Sequence, residues 1–330
     1  MSEVRAKKAL GQHFLVDLNI ARKICDALSG GERPGAGAET RANAAGYAGA
    51  GAEARTMAAG SADAGAETRN GDGAGMAADA RLAADTTAAG APAAAEEERG
   101  GAVPCDVLEV GCGMGVLTQY LLRRGDITTY GAEIDPESVG YLHAHFPEFA
   151  PRLIEGDFLK MNLRERFPRG LKIIGNFPYN ISSQIFFKVL EHRDLVPECV
   201  GMIQKEVAVR IAEPPGSKEY GILSVLLQAW YDIEYLFTVN ETVFNPPPKV
   251  KSAVIRLRRN CVGRLGCDEA LFVKVVKASF GQRRKMIRNS LRAVFGDFGG
   301  AEHPFFTQRA EQLSVADFVQ LTDWVAANRR

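Results

Sequence analysis

The chain has 330 residues, 46% of them hydrophobic, which is enough for a sizeable core and for two domains. Lysine plus arginine and aspartate plus glutamate balance at 40 each, and no apolar run approaches the roughly 18 residues of a membrane span. Those numbers exclude a membrane-spanning protein, and the six cysteines, with no C-x-x-C pair and no zinc-type spacing to the five histidines, exclude a disulfide framework or zinc finger.

Residues 1–14 are polar and basic without a signal-peptide core, which predicts reduced thiols and a cytoplasmic location. Residues 4–28 read as a basic arm, a turn at Gly11–Leu15 and a helix carrying Ile20, Ile24 and Leu28 on one face. Composition then changes to alanine and glycine. Between residues 31 and 103, eleven acidic residues face six arginines, so the segment carries −5 and the rest of the neutral chain +5. AGAETR begins at Ala36 and again at Ala64, with AGAEAR at Ala50, a period of fourteen that fits no common solenoid. With few large apolar residues to offset the entropy of ordering, this segment is predicted to be a disordered insertion. Lengthening a connection from about 5 to about 75 residues adds only roughly 2.4 kcal/mol of closure entropy, so a folded domain tolerates it.

Beyond the insertion, strand signals (107–110, 128–134, 152–155, 171–174, 200–203) alternate with helix signals (116–123, 136–145, 182–190). Residues 220–235 close the domain and 250–257 form a last strand. Such alternation predicts an α/β fold with a mainly parallel sheet. From Glu269 the apolar spacing turns helical, through Leu271, Val275 and Phe280, then Ile287 and Leu291, then Phe318, Leu321 and Val325. The predicted organisation is residues 1–30 as arm and first helix, 31–103 as insertion, 104–262 as the α/β domain and 263–330 as a small helical domain.

Chemistry-bearing residues fall at successive strand ends. Val107–Val110 runs into Gly111-Cys112-Gly113-Met114-Gly115, where glycines allow a tight turn and close approach to a nucleoside. A dinucleotide fingerprint would need glycine at position 116, where Val116 stands, so NAD is disfavoured. Glu133 can accept from both ribose hydroxyls, with Asp135 as the alternative, and Asp157 can accept from an adenine amine. Lys172–Gly175 ends in Asn176-Phe177-Pro178-Tyr179. An exocyclic adenine nitrogen is a poor nucleophile because its lone pair is delocalised, and two acceptors for its hydrogens would localise it. The Asn176 side-chain carbonyl and the Phe177 backbone carbonyl, directed by Pro178, are those acceptors. Tyr179 offers a π-face for an extruded base, and Phe244, ahead of three prolines, a second. The same tetrapeptide also suits a simple strand-closing turn. From Lys249 to Arg292, thirteen basic residues meet only Asp268 and Glu269, which reads as a nucleic-acid footprint, with a solvated helix face as the plainer alternative.

With these residues in hand, the chain resembles the ribosomal RNA adenine dimethyltransferase family over nearly everything outside the insertion. Further family-like stretches are Lys8–Leu15, Gln204–Val207, Ser217–Gly221, Phe244–Val250 and Phe280–Leu291. The resemblance implies a Rossmann-like, S-adenosylmethionine-dependent methyltransferase fold with a mainly parallel seven-stranded sheet and a small C-terminal helical domain that binds RNA. It implies a monomer that dimethylates N6 of two adjacent adenosines near the 3′ end of 16S rRNA in the small (30S) ribosomal subunit, with a role in subunit biogenesis. Cofactor contacts are implied at His13, Leu15, Gly111, Gly113, Glu133, Asp157 and Asn176. Lys249, Lys251, Arg283, Arg284, Lys285 and Arg288 are the candidate RNA contacts. The competing expectations are a 23S rRNA adenine methyltransferase and a small-subunit assembly factor whose catalysis is secondary.

Overall fold

The computed structural model describes residue 4, residues 6–7, residues 10–30 and residues 104–329; the predicted insertion at 31–103 and its repeats lie outside the described residues. In chain order come β1 (Phe14–Leu15), α1 (Leu18–Asp26), β2 (Cys105–Val110), α2 (Thr118–Leu121), β3 (Ile127–Glu133), α3 (Pro136–His145), β4 (Leu153–Glu155) and α4 (Leu163–Arg166). There follow β5 (Lys172–Asn176), α5 (Ser182–Glu191), β6 (Glu198–Gln204), α6 (Lys205–Ala212), α7 (Ile222–Gln228), β7 (Tyr231–Val239), β8 (Phe244–Asn245) and β9 (Ser252–Arg259). The helices α8 (Glu269–Gly281), α9 (Ile287–Phe295) and α10 (Val315–Asn328) complete it.

Seven strands form one sheet in the order β4-β3-β2-β5-β6-β9-β7, in which β9 alone runs opposite to the other six. Successive side chains on a strand point to opposite faces, so doubly apolar strands mark a sheet covered on both sides. That pattern is met residue by residue. Leu108, Ile173, Cys199 and Ile255 enter the core that includes α5, α7 and α8, while their neighbours Val107, Ile174, Val200 and Val254 enter the core against α1. The predicted Rossmann-like α/β architecture is therefore the observed one. Chain order reverses between β2 and β5, and the crevice at the carboxyl ends of those two strands is where such sheets bind ligands.

One local expectation differs. The helix expected over 116–123 is confined to Thr118–Leu121, because Gly111, Gly113 and Gly115 all take positive φ (76°, 53° and 75°) and keep the chain in turns. The region 220–235 consists of a helix followed by the start of a strand, α7 and β7. All eight apolar positions read as helical after Glu269 are buried, in a core continuous with that of the sheet.

The exit of α1 is held by three cations. Arg124 donates to the carbonyls of Cys25, Leu28 and Ser29, Arg256 to Ala27, and Lys172 Nζ to Ser29 (3.1 Å) and Gly30 (2.8 Å). These carbonyls lie at and just beyond the end of α1, where helical partners run out, and positive charge there also complements the helix dipole. Lys172 is buried with Glu198 at 3.2 Å, and Glu198 in turn accepts from the Ser29 amide. Replacing one member of a buried ion pair strands the other, so Lys172→Met should cost about 3–5 kcal/mol in urea unfolding. Glu198→Leu added to it should recover much of that loss, and equal stability of wild type and Lys172→Met would contradict the clamp.

Candidate active site

A cavity opens at the carboxyl edge of β2, β3 and β5, walled by residues 10–15, 109–114, 116–117, 132–134, 156–159 and 176–181. His13, Leu15, Gly111, Gly113, Glu133, Asp157 and the whole Asn176–Tyr179 segment line it, so residues spread over more than 160 positions of sequence meet at one place. Phe244 does not line the cavity. It is 3% exposed, pairs with Leu15 across β1 and β8, and is packed in the core with Ile24 and Val254.

The glycine loop and Glu133 fix one another. Gly113 N donates to Glu133 Oε2 at 2.8 Å, and the amides of Ile134 and Asp135 donate to Oε1 at 2.9 Å each. Burial raises the Glu133 pKa, while these three amides hold it back toward the ionised form. Two carboxylate oxygens offer about four acceptor positions and these amides take three, so one position, on Oε2, remains open to a ribose hydroxyl. Asp135 is 0% exposed and committed elsewhere, to Lys7, Ser138 and Gln12. Burial acts to raise its pKa, but those hydrogen bonds outweigh it and the net direction is down. Of the two alternatives, Glu133 alone faces the cavity. Asp157 accepts from Leu159 N at 2.9 Å and so caps the short turn Phe158–Lys160.

The Asn176–Tyr179 segment is set by what lies beneath it. The Phe177 amide donates to Met202 O at 3.0 Å, and the ring, 1% exposed, lies over two glycines. A Cβ on Gly201 would sit 2.4 Å from that ring, and one on Gly175 2.9 Å from it and 2.5 Å from Val110 O. The Asn176 side-chain nitrogen donates to His13 O at 2.9 Å, which turns Oδ1 out as the acceptor; no donor to Oδ1 occurs among the described residues. Tyr179 bonds Ser252 through its hydroxyl and stacks on the His13 ring at 5.3 Å.

Sequence reasoning passed over Glu109. It is 1% exposed, lines the cavity, and accepts from Thr118 Oγ1 at 2.6 Å. Burial pushes its carboxyl up to about 8, and the nearby Glu133 charge adds to the rise. An acid inside the otherwise apolar Val107-Leu108-Glu109-Val110 run was the available signal. The basic surface also divides. Lys249, Lys251, Arg284 and Lys285 are exposed and have no ion-pair or hydrogen-bond partner for their side chains among the described residues. Arg283, by contrast, donates to the carbonyls of Lys218 and Tyr220, and Arg288 pairs with Glu302 over the Phe306 ring.

The site suits an adenosyl group: a glycine cradle with no side chain to obstruct it, one carboxylate with an acceptor position left for a ribose hydroxyl, and another for an amine. A sequence profile described as ribosomal RNA adenine dimethylase matches residues 104–327. Ribosomal RNA small subunit methyltransferase A of Parabacteroides distasonis is 47% identical over 324 residues, covering 98% of this chain and 94% of the relative. The protein of the same name from Bacteroides thetaiotaomicron is 59% identical over 221 residues, 66% of this chain and 82% of the relative. Among solved structures, a dimethyladenosine transferase from Plasmodium falciparum superposes with a TM-score of 0.57 at 26% identity, over 68% of this chain and 90% of that one.

Glu109 has a measurable consequence. The folded protein holds a proton that the unfolded chain releases from about pH 4.5, so this site favours folding at low pH and loses that contribution as pH rises toward about 8. Glu109→Gln should remove that part of the decline when urea unfolding is followed from pH 5 to 8. An unaltered slope would show that the carboxyl titrates normally.

Proposed function

The chain belongs to the ribosomal RNA adenine dimethylase family, and from that premise we propose that it converts two adjacent adenosines near the 3′ end of 16S rRNA to N6,N6-dimethyladenosine in the small ribosomal subunit. It is an S-adenosylmethionine-dependent rRNA adenine dimethyltransferase. The observation that carries the site assignment is the orientation of Asn176: its amide nitrogen is spent on His13 O, which leaves Oδ1 to accept at the end of β5.

Bound S-adenosylmethionine supplies a methyl group already activated on sulfur. The residues of the chain do the rest by holding and aligning. Gly111 and Gly113 give close backbone approach, Glu133 accepts from the ribose hydroxyls, Asp157 from the adenine amine, and His13, Leu15 and Asn176 complete the contacts. Asn176 Oδ1 and the Phe177 carbonyl accept the two hydrogens of the target amine and draw its lone pair out of the ring. Tyr179, backed by the His13 ring, stacks the extruded base, worth about 1–3 kcal/mol. The methyl–sulfur bond breaks as the nitrogen–methyl bond forms, and the cationic amine then loses its proton to solvent, so no dedicated general base is needed and alignment can supply about 7–11 kcal/mol.

The target RNA is held through exposed Lys249 and Lys251, ahead of β9, and exposed Arg284 and Lys285, between α8 and α9, while Arg283 and Arg288 brace the segment that carries the second pair. The protein works as a monomer in the cytoplasm; no helix among the described residues is long and apolar enough to cross a membrane.

Asn176→Ala should lower kcat by about 10²–10³, the loss typical of a deleted transition-state acceptor or donor, with RNA binding retained. Lys249→Ala with Lys251→Ala should do the reverse, weakening RNA binding and lowering its log–log salt slope by about 2. Full activity in Asn176→Ala, measured as methyl incorporation at saturating cofactor, would overturn the mechanism.

A further inference from the structure

Lys188 lies on α5, the helix that follows the Asn176–Tyr179 segment, and it is 9% exposed. Its ammonium donates to two backbone carbonyls of another segment, Leu159 O at 2.9 Å and Met161 O at 2.7 Å. It also stands 5.5 Å over the Phe158 ring. Among the described residues no carboxylate comes within ion-pair distance of it. An ammonium withdrawn from water is costly unless its donors are used, and here two of its three donors are spent on one loop, over whose Phe158 ring it also stands.

That loop is the one that starts at Asp157. Residues 156–159 line the cavity, and Asp157 Oδ1 accepts from Leu159 N, so the carboxylate and the first Lys188 acceptor belong to the same short turn. At its other end α5 is tied to the Asn176–Tyr179 segment, Ser182 Oγ donating to Tyr179 O at 3.2 Å. One helix thus bonds both the segment that would receive the target base and the loop that would receive the cofactor's adenine.

We propose that Lys188 is a positioning residue: it clamps the 157–161 turn to α5, aims the Asp157 carboxylate into the cavity, and thereby sets affinity and base selectivity for the adenine ring of the cofactor. The proposal rests on the reading of Asp157 as the acceptor for that ring's amine. Lys188 touches neither cofactor nor substrate, so its removal acts on binding rather than on the methyl transfer step.

The test is calorimetric binding of S-adenosylhomocysteine and of S-inosylhomocysteine, which carries a keto oxygen in place of the amine, together with kcat at saturating S-adenosylmethionine. Lys188→Met preserves the apolar stem and deletes the donors. It should raise the Kd for S-adenosylhomocysteine about tenfold while kcat stays within about twofold of wild type. Lys188→Gln, which retains an N–H donor, should fall between the two and serves if the Met variant does not fold. Wild type should prefer the adenosyl ligand, and Lys188→Met should erase that preference. A Kd within about twofold of wild type in whichever variant folds, or a fall in kcat with Kd unchanged, overturns the proposal. If wild type holds both ligands equally, the Asp157 reading fails, and the S-adenosylhomocysteine Kd of the variants still judges the clamp by itself.

Discussion

The Phe177 ring rests in a notch that two glycines leave open, and the geometry of the site depends on that seat. Gly175 on β5 and Gly201 on β6 lie beneath the ring, too close to it for a methyl group at either position. Phe186 meets it edge-on at 5.8 Å, in the core with α5. A buried aromatic cannot turn without emptying its seat, so the peptide units on either side are held as well. Asn176 and Tyr179 then project from a fixed turn toward the cavity, and the Phe177 carbonyl is aimed by the proline that follows. A loop of the same composition without that anchor would have no reason to keep two acceptors in register.

The N-terminal arm closes the other side by polar contacts. His13 O takes the Asn176 amide, the His13 ring bonds Pro246 O at 2.9 Å, and β1 pairs with β8. Lys7 and Gln12 converge on the buried Asp135, which explains why that acid lies so near the cavity-lining Glu133 and yet serves another purpose. The two carboxylates, two residues apart, divide the labour: one faces the ligand cavity and the other anchors the segment that walls it. Glu109 lies beneath the loop, and burial pushes its carboxyl up to about 8, so that at neutral pH it does not add a full third charge to a cavity already lined by Glu133 and Asp157.

How much of this was legible in the sequence depended on the range of the interaction. The sheet was readable because apolar doublets such as Ile173-Ile174 announce burial on both faces, and the helices after Glu269 because their spacing is local. Strand-end acids and the glycine loop were readable because strand order brings such ends together. Contacts between distant segments were not. Arg283 and Arg288 look like any other members of a basic run until their partners, the carbonyls of Lys218 and Tyr220 and the carboxylate of Glu302, are in place. The packing of Phe244 against Leu15 and the α1 core was also hidden, because only its proline neighbours are visible in the sequence. Likewise Lys172 read as one end of an apolar strand, and its role at the exit of α1 needs Ser29, Gly30 and Glu198 beside it.

The central claim is that two carbonyl acceptors at the end of β5 select the exocyclic amines of adjacent adenosines in small-subunit rRNA. Small subunits lacking the modification, incubated with this protein and S-adenosylmethionine, should yield a 3′-terminal 16S fragment whose mass has risen by four methyl groups, two on each of two neighbouring adenosines. Methylation at another atom or another base, or a fragment of unchanged mass, would contradict it.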